Sequence, residues 1–381
     1  MNRRALWRRV GMVAIAGLLV AGAVACGKSD SGGESAPIKI GASIPLTGQF
    51  SQEGKAAKQG YEVWAAMVNE KGGLLGRKVD LLIGTYSSLL NLPASAVAEK
   101  NKMLYVEPAG GAPEIFERGM KYLFFSQQAT ADKQGEAFAK WISTLPEADR
   151  PKTAAYPTID DPFVTPNVEG IRKVLEGAGI QTVLAETYQS DLNNFDTIVS
   201  KVRSANPDLV VHGAFFDDGV GFVRSMLKAD FKPRWLYQTT APSLGDEYAK
   251  AIGPENTEGI IFAISHAPQA QTPGNAEFVK KYGEMFGGLP AEDAADAYGA
   301  AQVLQAAVEK VGNIDDQAAM ADWLRANTVP TILGDLSWDD AGRPQGEFLT
   351  GQWQDGKVEY ILPKEFATTD HIVMGWEPGK V

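Results

Sequence analysis

One cysteine, Cys26, stands in 381 residues, so a disulfide framework is excluded. Histidine is nearly as scarce: His212, His266 and His371 show no metal-ligand spacing and no His-Glu-x-x-His helix. Isolated histidines in such settings are ordinarily structural. The chain has no Gly-x-Ser-x-Gly elbow and no Gly-x-x-x-x-Gly-Lys loop, which removes the common nucleophile and nucleotide sites. The adjacent acids Asp160-Asp161 and Asp217-Asp218 read as solvated loop carboxylates, not as acid–base pairs. The expectation is a protein that is not an enzyme, with no catalytic residue, no metal and no cofactor. Positive charge is also short, with 36 Lys and Arg against 47 Asp and Glu and a net charge of −11. An acidic body of this kind repels phosphate backbones and carries no basic stripe, so a nucleic-acid partner is excluded.

Long apolar runs are missing as well, except at the start. Arg3, Arg4, Arg8 and Arg9 precede the apolar run Val10 to Val24, which closes in small residues, Ala23-Val24-Ala25, directly before Cys26. That run is short for a bilayer span and has the flanks of an export signal. Residues 1–25 are therefore expected to be a signal peptide, with the Arg8-Arg9 pair leaving the export route open. A lone cysteine after a small-residue cleavage site resembles a bacterial lipobox, in which the thiol receives a lipid. Residues 26–37, rich in Gly and Ser, then form a flexible, lipid-anchored tether. The expected location is extracytoplasmic, anchored to the cell membrane through Cys26.

Past the tether, short apolar runs alternate with helix-length amphipathic stretches. Strands are expected at Ile38 to Ala42, Val79 to Ile83, Leu104 to Val106, Thr153 to Tyr156, Thr182 to Ala185, Leu209 to His212 and Gly259 to Ala263. Between Gly54 and Lys71, residues Ala57, Tyr61, Trp64 and Val68 share one helical face. Helices are also expected at Val164 to Gly179, Thr197 to Asn206, Gly219 to Asp230, Asn275 to Phe286 and Ala291 to Val311. The chain then ends in turn-rich strands around Leu336 to Gly342 and from Phe348 to Leu362, with a hairpin-like turn at Asp355-Gly356. Apolar strands interleaved with helices mean parallel sheets covered on both faces. The fold class is α/β, with two Rossmann-like lobes joined by a hinge. The first lobe is assigned residues 38–150 plus 267–330, the second 151–266 plus 331–365, and 366–381 a C-terminal tail. Ligands in such sheets bind beyond the carboxyl ends of the strands, here in a cleft between lobes.

The ordered series Ile40-Gly41-Ala42-Ser43-Ile44-Pro45-Leu46-Thr47-Gly48, Gly72-Gly73-Leu74-Leu75-Gly76-Arg77, Gly84-Thr85-Tyr86-Ser87-Ser88, Pro108-Ala109-Gly110-Gly111-Ala112 and Leu333-Gly334-Asp335-Leu336-Ser337-Trp338-Asp339 resembles periplasmic binding proteins of the branched-chain amino-acid type. The resemblance covers nearly the whole mature chain. It implies a type I periplasmic binding protein: a monomeric solute receptor of an ABC importer that hands a small carboxylate-bearing ligand to a permease. By that resemblance Ser87 and Ser88, with the backbone of Ala109 and Gly111, bind the ligand carboxylate, and Gly111 stands where relatives carry a hydroxyl residue. Phe50, Phe163 and Phe216 would line the cleft, with Asp217 beside them. Where relatives place an acid for the ligand ammonium, this chain has Ala241-Pro242-Ser243. Asp217, Asp218, Asp160 or Glu53 would replace it, or the ligand is an aromatic or aliphatic acid without an amino group. A ligand-sensing protein of the same fold is a further alternative. Relatives also have a helix and strand where Val79 to Ile83 runs straight into Gly84, so the first lobe lacks one βα unit.

Overall fold

The computed structural model describes residues 36–380. The signal peptide, Cys26 and most of the tether lie outside the described residues, and no described helix is long and apolar enough to cross a membrane. The chain opens with β1 (Ile38–Ala42), α1 (Ser51–Glu70), β2 (Val79–Gly84), α2 (Ser88–Lys100), β3 (Tyr105–Glu107), α3 (Pro113–Phe116) and β4 (Leu123–Phe125). α1 buries Ala57, Tyr61, Trp64 and Val68, the face read from the sequence. β2 lies beside β1 in parallel register, Ile38 opposite Val79, and runs directly into the Thr85–Ser88 turn. β3 pairs with β4, and these two-stranded pieces are not hydrogen-bonded to one another. The first-lobe strands thus fall into separate pairs at the place where the sequence leads us to expect one βα unit to be absent.

Next come α4 (Ala131–Gln134), α5 (Glu136–Ser143), β5 (Thr153–Ile159), α6 (Val164–Gly177), β6 (Gln181–Tyr188), α7 (Asp196–Ala205), β7 (Leu209–His212), α8 (Phe216–Lys228), β8 (Trp235–Gln238), α9 (Asp246–Ile252) and β9 (Ile261–Ile264). The chain then returns through α10 (Asn275–Phe286), α11 (Glu292–Val311), α12 (Gln317–Ala326), β10 (Val329–Thr331) and β11 (Gly334–Leu336), and ends in β12 (Leu349–Gln354) and β13 (Lys357–Leu362). A seven-stranded sheet runs β13-β12-β9-β8-β7-β5-β6, parallel from β9 to β6 and antiparallel at β12 and β13. β7, β8 and β9 are buried along their whole length, as strands covered on both faces must be. Asp355 and Gly356, both at positive φ, turn β12 into β13 as an Asp-Gly hairpin does.

Two apolar cores result. One joins α1 to α10, α11 and α12, and the other surrounds the seven-stranded sheet. α5 belongs to the second core, with Phe138 stacked on Tyr237 at 4.5 Å, although its residues fall in the range expected for the first lobe. Ile332, Leu333, Leu336 and Trp338, on the second-lobe side of the expected boundary, pack into the first core. An amphipathic helix or short hairpin states that it has an apolar face, not which sheet covers it. Residues 366–380 pack on the second lobe: Trp376 is buried and its indole N–H donates to the Asn256 carbonyl at 2.9 Å. Gln128 ties the crossings between lobes. Its side-chain amide N–H groups donate to the Ser265 and Leu333 carbonyls, at 2.6 and 3.1 Å, and its backbone carbonyl accepts from Gly346 N–H at 2.7 Å.

Candidate functional site

Between the two cores lies a cavity of about 20 Å³, lined in part by Tyr86, Ser87, Ala109, Phe163, Phe215 and Asp293. That is room for about one water molecule, so a larger solute enters only when the lobes part. Ser87 occupies the position before α2, at φ 73°, a left-handed conformation uncommon for serine. Its side chain makes no capping bond, and its hydroxyl is buried without a partner. An unpartnered buried hydroxyl is costly unless something occupies the space it faces.

Ser88 has a different task. Its hydroxyl accepts the Ala112 N–H at 3.0 Å and braces the neighbouring loop from a fully buried position. Ser88→Ala should leave that N–H unpaired and lower stability by about 1–2 kcal/mol, read as a shifted urea midpoint with unchanged slope. Ala109 lines the cavity, but its N–H donates to Glu107 Oε2 at 2.9 Å. At Gly111 a Cβ would meet the Phe125 ring at 3.0 Å and the Phe163 ring at 3.1 Å. The rings occupy the space of the missing hydroxyl side chain.

The aromatic residues divide differently from the sequence expectation. Phe163 lines the cavity, and Phe50 packs edge-on to Phe215 at 5.0 Å and tilted to Tyr86 at 5.7 Å. Phe215, not Phe216, forms the wall. Phe216 is the first residue of α8 and turns aside, and only its backbone N–H serves the site, donating to Glu53 Oε1 at 3.3 Å. Asp217 is exposed on the first turn of α8 and does not line the cavity. Asp218 is buried and accepts from the Phe215 N–H at 3.3 Å, closing the helix start.

The residues that sequence reasoning missed are mostly acidic. Glu292, Asp293 and Asp296, on the first two turns of α11, all line the cavity. Glu292 accepts the Ser265 N–H at 2.6 Å, and Asp296 accepts from Ser265 and Gln127 side chains. Asp293 keeps an unpartnered Oδ2, Glu53 an unpartnered Oε2 and Glu107 an unpartnered Oε1. Burial pushes Glu53 up to about 7 and Glu107 up to about 8. Asp293 is raised further than the ordinary carboxylate range by burial first and then by Glu53, Glu292 and Asp296. A run such as Glu292-Asp293 at a helix start reads as a dipole-compensating surface turn, so nothing local marked it as a cleft wall. Two of the three histidines are buried in hydrogen-bonded positions. His212 bridges Tyr188 and Gln238, and burial lowers it to about 3, while His266 meets Asn275 at 2.7 Å. No group of His, Cys, Asp and Glu able to hold a metal occurs among the described residues.

The sequence pattern of the periplasmic binding protein family matches residues 37–84 and 77–357. The two matched stretches overlap at residues 77–84. The chain is 26% identical over 379 residues to Leu/Ile/Val-binding protein homolog 1 of Brucella suis, covering 91% of this chain and 98% of that one. Among solved structures, a leucine-binding protein of Thermotoga maritima aligns with TM-score 0.76 at 21% identity, covering 85% of this chain and 97% of the other. An ABC-transporter solute-binding protein of R. palustris, in complex with benzoate, also aligns at 0.76 with 18% identity, covering 88% and 100%.

Proposed function

This chain belongs to the periplasmic binding protein family, and from that premise we propose that it is the extracytoplasmic solute receptor of an ABC importer, monomeric and anchored through lipid on Cys26. The observation that carries this reading is the Ser87 hydroxyl, buried and without a partner in the wall of the interlobe cavity. The lobes part about the crossings that Gln128 holds, a solute enters, and closure satisfies the unpartnered polar atoms. The closed form then docks on the permease and releases its cargo. The relatives' names put an amino acid first among candidate solutes. Its carboxylate would face Ser87, and its ammonium Glu53 and Asp293, which stand in for the acid missing at Ala241-Pro242-Ser243. The benzoate-bound relative keeps an acid without an amino group as a second reading.

A thermal-shift panel of amino acids, amines and carboxylic acids tests the receptor role, because a ligand of the native state must raise the melting temperature. Ser87→Ala should weaken whichever solute binds at least tenfold while leaving the solute-free melt unchanged or raised, since the variant loses no hydrogen bond and removes an unsatisfied buried hydroxyl. Unchanged affinity in that variant would remove Ser87 from the site.

A further inference from the structure

The cavity wall carries Glu292, Asp293 and Asp296, Glu53 and Glu107 stand close by, and among the described residues no Lys, Arg or His lines it. We propose that the solute carries a net positive charge, as an amine or a basic amino acid does, and that neutral amino acids and simple acids are poor ligands. This rests on the receptor reading above, narrows its amino acid to a basic one or an amine, and sets aside the acid without an amino group.

Three observations beyond the acid cluster point the same way. The first is the Ser87 hydroxyl, 2% exposed, unpartnered and facing the same cavity, which marks the site as built for an occupant. The second is that two backbone donors of the loop beside the cavity are already used: the Ala109 N–H by Glu107 and the Ala112 N–H by Ser88. An internal carboxylate thus already holds one of them, and an incoming anion would have to compete for it. The third is that Tyr86, Phe163 and Phe215 supply aromatic surface to the same cavity, and aromatic faces attract organic cations.

Glu292 and Asp296 have hydrogen-bond donors within the protein. Asp293 Oδ2 and Glu53 Oε2 do not, and Asp293 lines the cavity while Glu53 lies near enough to oppose its ionisation. A buried ionised carboxylate is stable only when paired. Without a partner, burial makes both carboxyls hold their protons above the ordinary carboxylate range. An incoming cation supplies the partner that lets them ionise, whereas a zwitterion adds a carboxylate that must itself be paired.

The experiment compares L-lysine and L-leucinamide with L-leucine and benzoate, by thermal shift and titration calorimetry on the purified protein at about pH 7.5. Leucinamide matches leucine in shape and lacks only the carboxylate charge. The expected result is saturable binding of one or both cations at least tenfold tighter than leucine, with no shift from benzoate. Glu53→Gln with Asp293→Asn should then cost the cation at least tenfold and narrow its advantage over leucine. Leucine or benzoate binding as tightly as the cations would overturn the charge assignment and leave the receptor role standing. If neither cation binds, the assignment also falls; if in addition native mass spectrometry of the purified protein finds no co-purified small molecule, the receptor role falls with it.

Discussion

Solute-free protein is expected to lose stability as pH rises from about 5 to about 8.5, and Glu107→Gln should flatten much of that slope. Burial holds Glu107 up to about 8 although the Ala109 and Gly110 N–H groups favour its ionised form. Tyr61, Tyr105 and Asp296 face it, and none of them supplies a positive charge. Between the ordinary carboxylate value and about 8 the folded state keeps a proton that the unfolded state has released. Stability therefore falls with rising pH through that window and levels off above it. For Glu107 alone the loss is on the order of 4 kcal/mol. Glu53 and Asp218, both raised to about 7, and Asp293 act with the same sign. His212 and His266, held neutral by burial, have the opposite sign below about pH 6.5 and moderate the slope there without reversing it, being fewer. Urea melts at about pH 5.5, 7 and 8.5 check this. A midpoint that rises with pH, or a Glu107→Gln protein with the wild-type slope, would contradict it.

Gly60→Ala is expected to destabilise the first lobe by about 3 kcal/mol. A Cβ at Gly60 would sit 1.9 Å from the carbonyl oxygen and 2.9 Å from the Cα of Ala294. Both are main-chain atoms, so no side-chain rotation relieves the clash, and α1 must move off α11. That contact joins the helix following β1 to the helix carrying Glu292, Asp293 and Asp296. In a lobe whose sheet is broken between β2 and β3, it holds much of the core together. Gly177→Ala, at the end of α6 with nothing within 4 Å of the added Cβ, serves as the control and should be neutral or slightly stabilising. Equal melts for the two variants would show that the α1–α11 approach contributes little.

Legibility followed the range of the interactions. The α1 face, the β7 strand at Leu209–His212, α10 at Asn275–Phe286 and the Asp355-Gly356 turn were all readable, because periodicity and turn chemistry act over a few residues. β4 and β8 were not read as strands; each is short and fully buried, and the equally buried β7 was read as an apolar run and not from any alternation. Phe215 and Phe216 could not be told apart, since which one lines the cavity depends on where α8 begins. Ser87 and Ser88 are chemically alike and adjacent; only the fold gives one of them Ala112 as a partner and leaves the other facing the cavity.

The sequence by itself determined that this is an acidic, disulfide-free α/β protein with an export-like start and the ordered motifs of the periplasmic binding protein family. Those properties are composition, period and motif order, and they are written along the chain. Tertiary structure alone decided that α5 belongs to the second core, that Glu107 takes the Ala109 N–H, and that Glu53 and the acids of α11 gather near one cavity with no basic residue among the described residues of its wall. Glu53 and Asp293 are far apart in sequence, and each looks like a helix-start acid that solvent would screen. Packing α1 against α11 removes that solvent. Desolvation at long sequence range, which no local pattern records, turns ordinary surface-type residues into the character of the site.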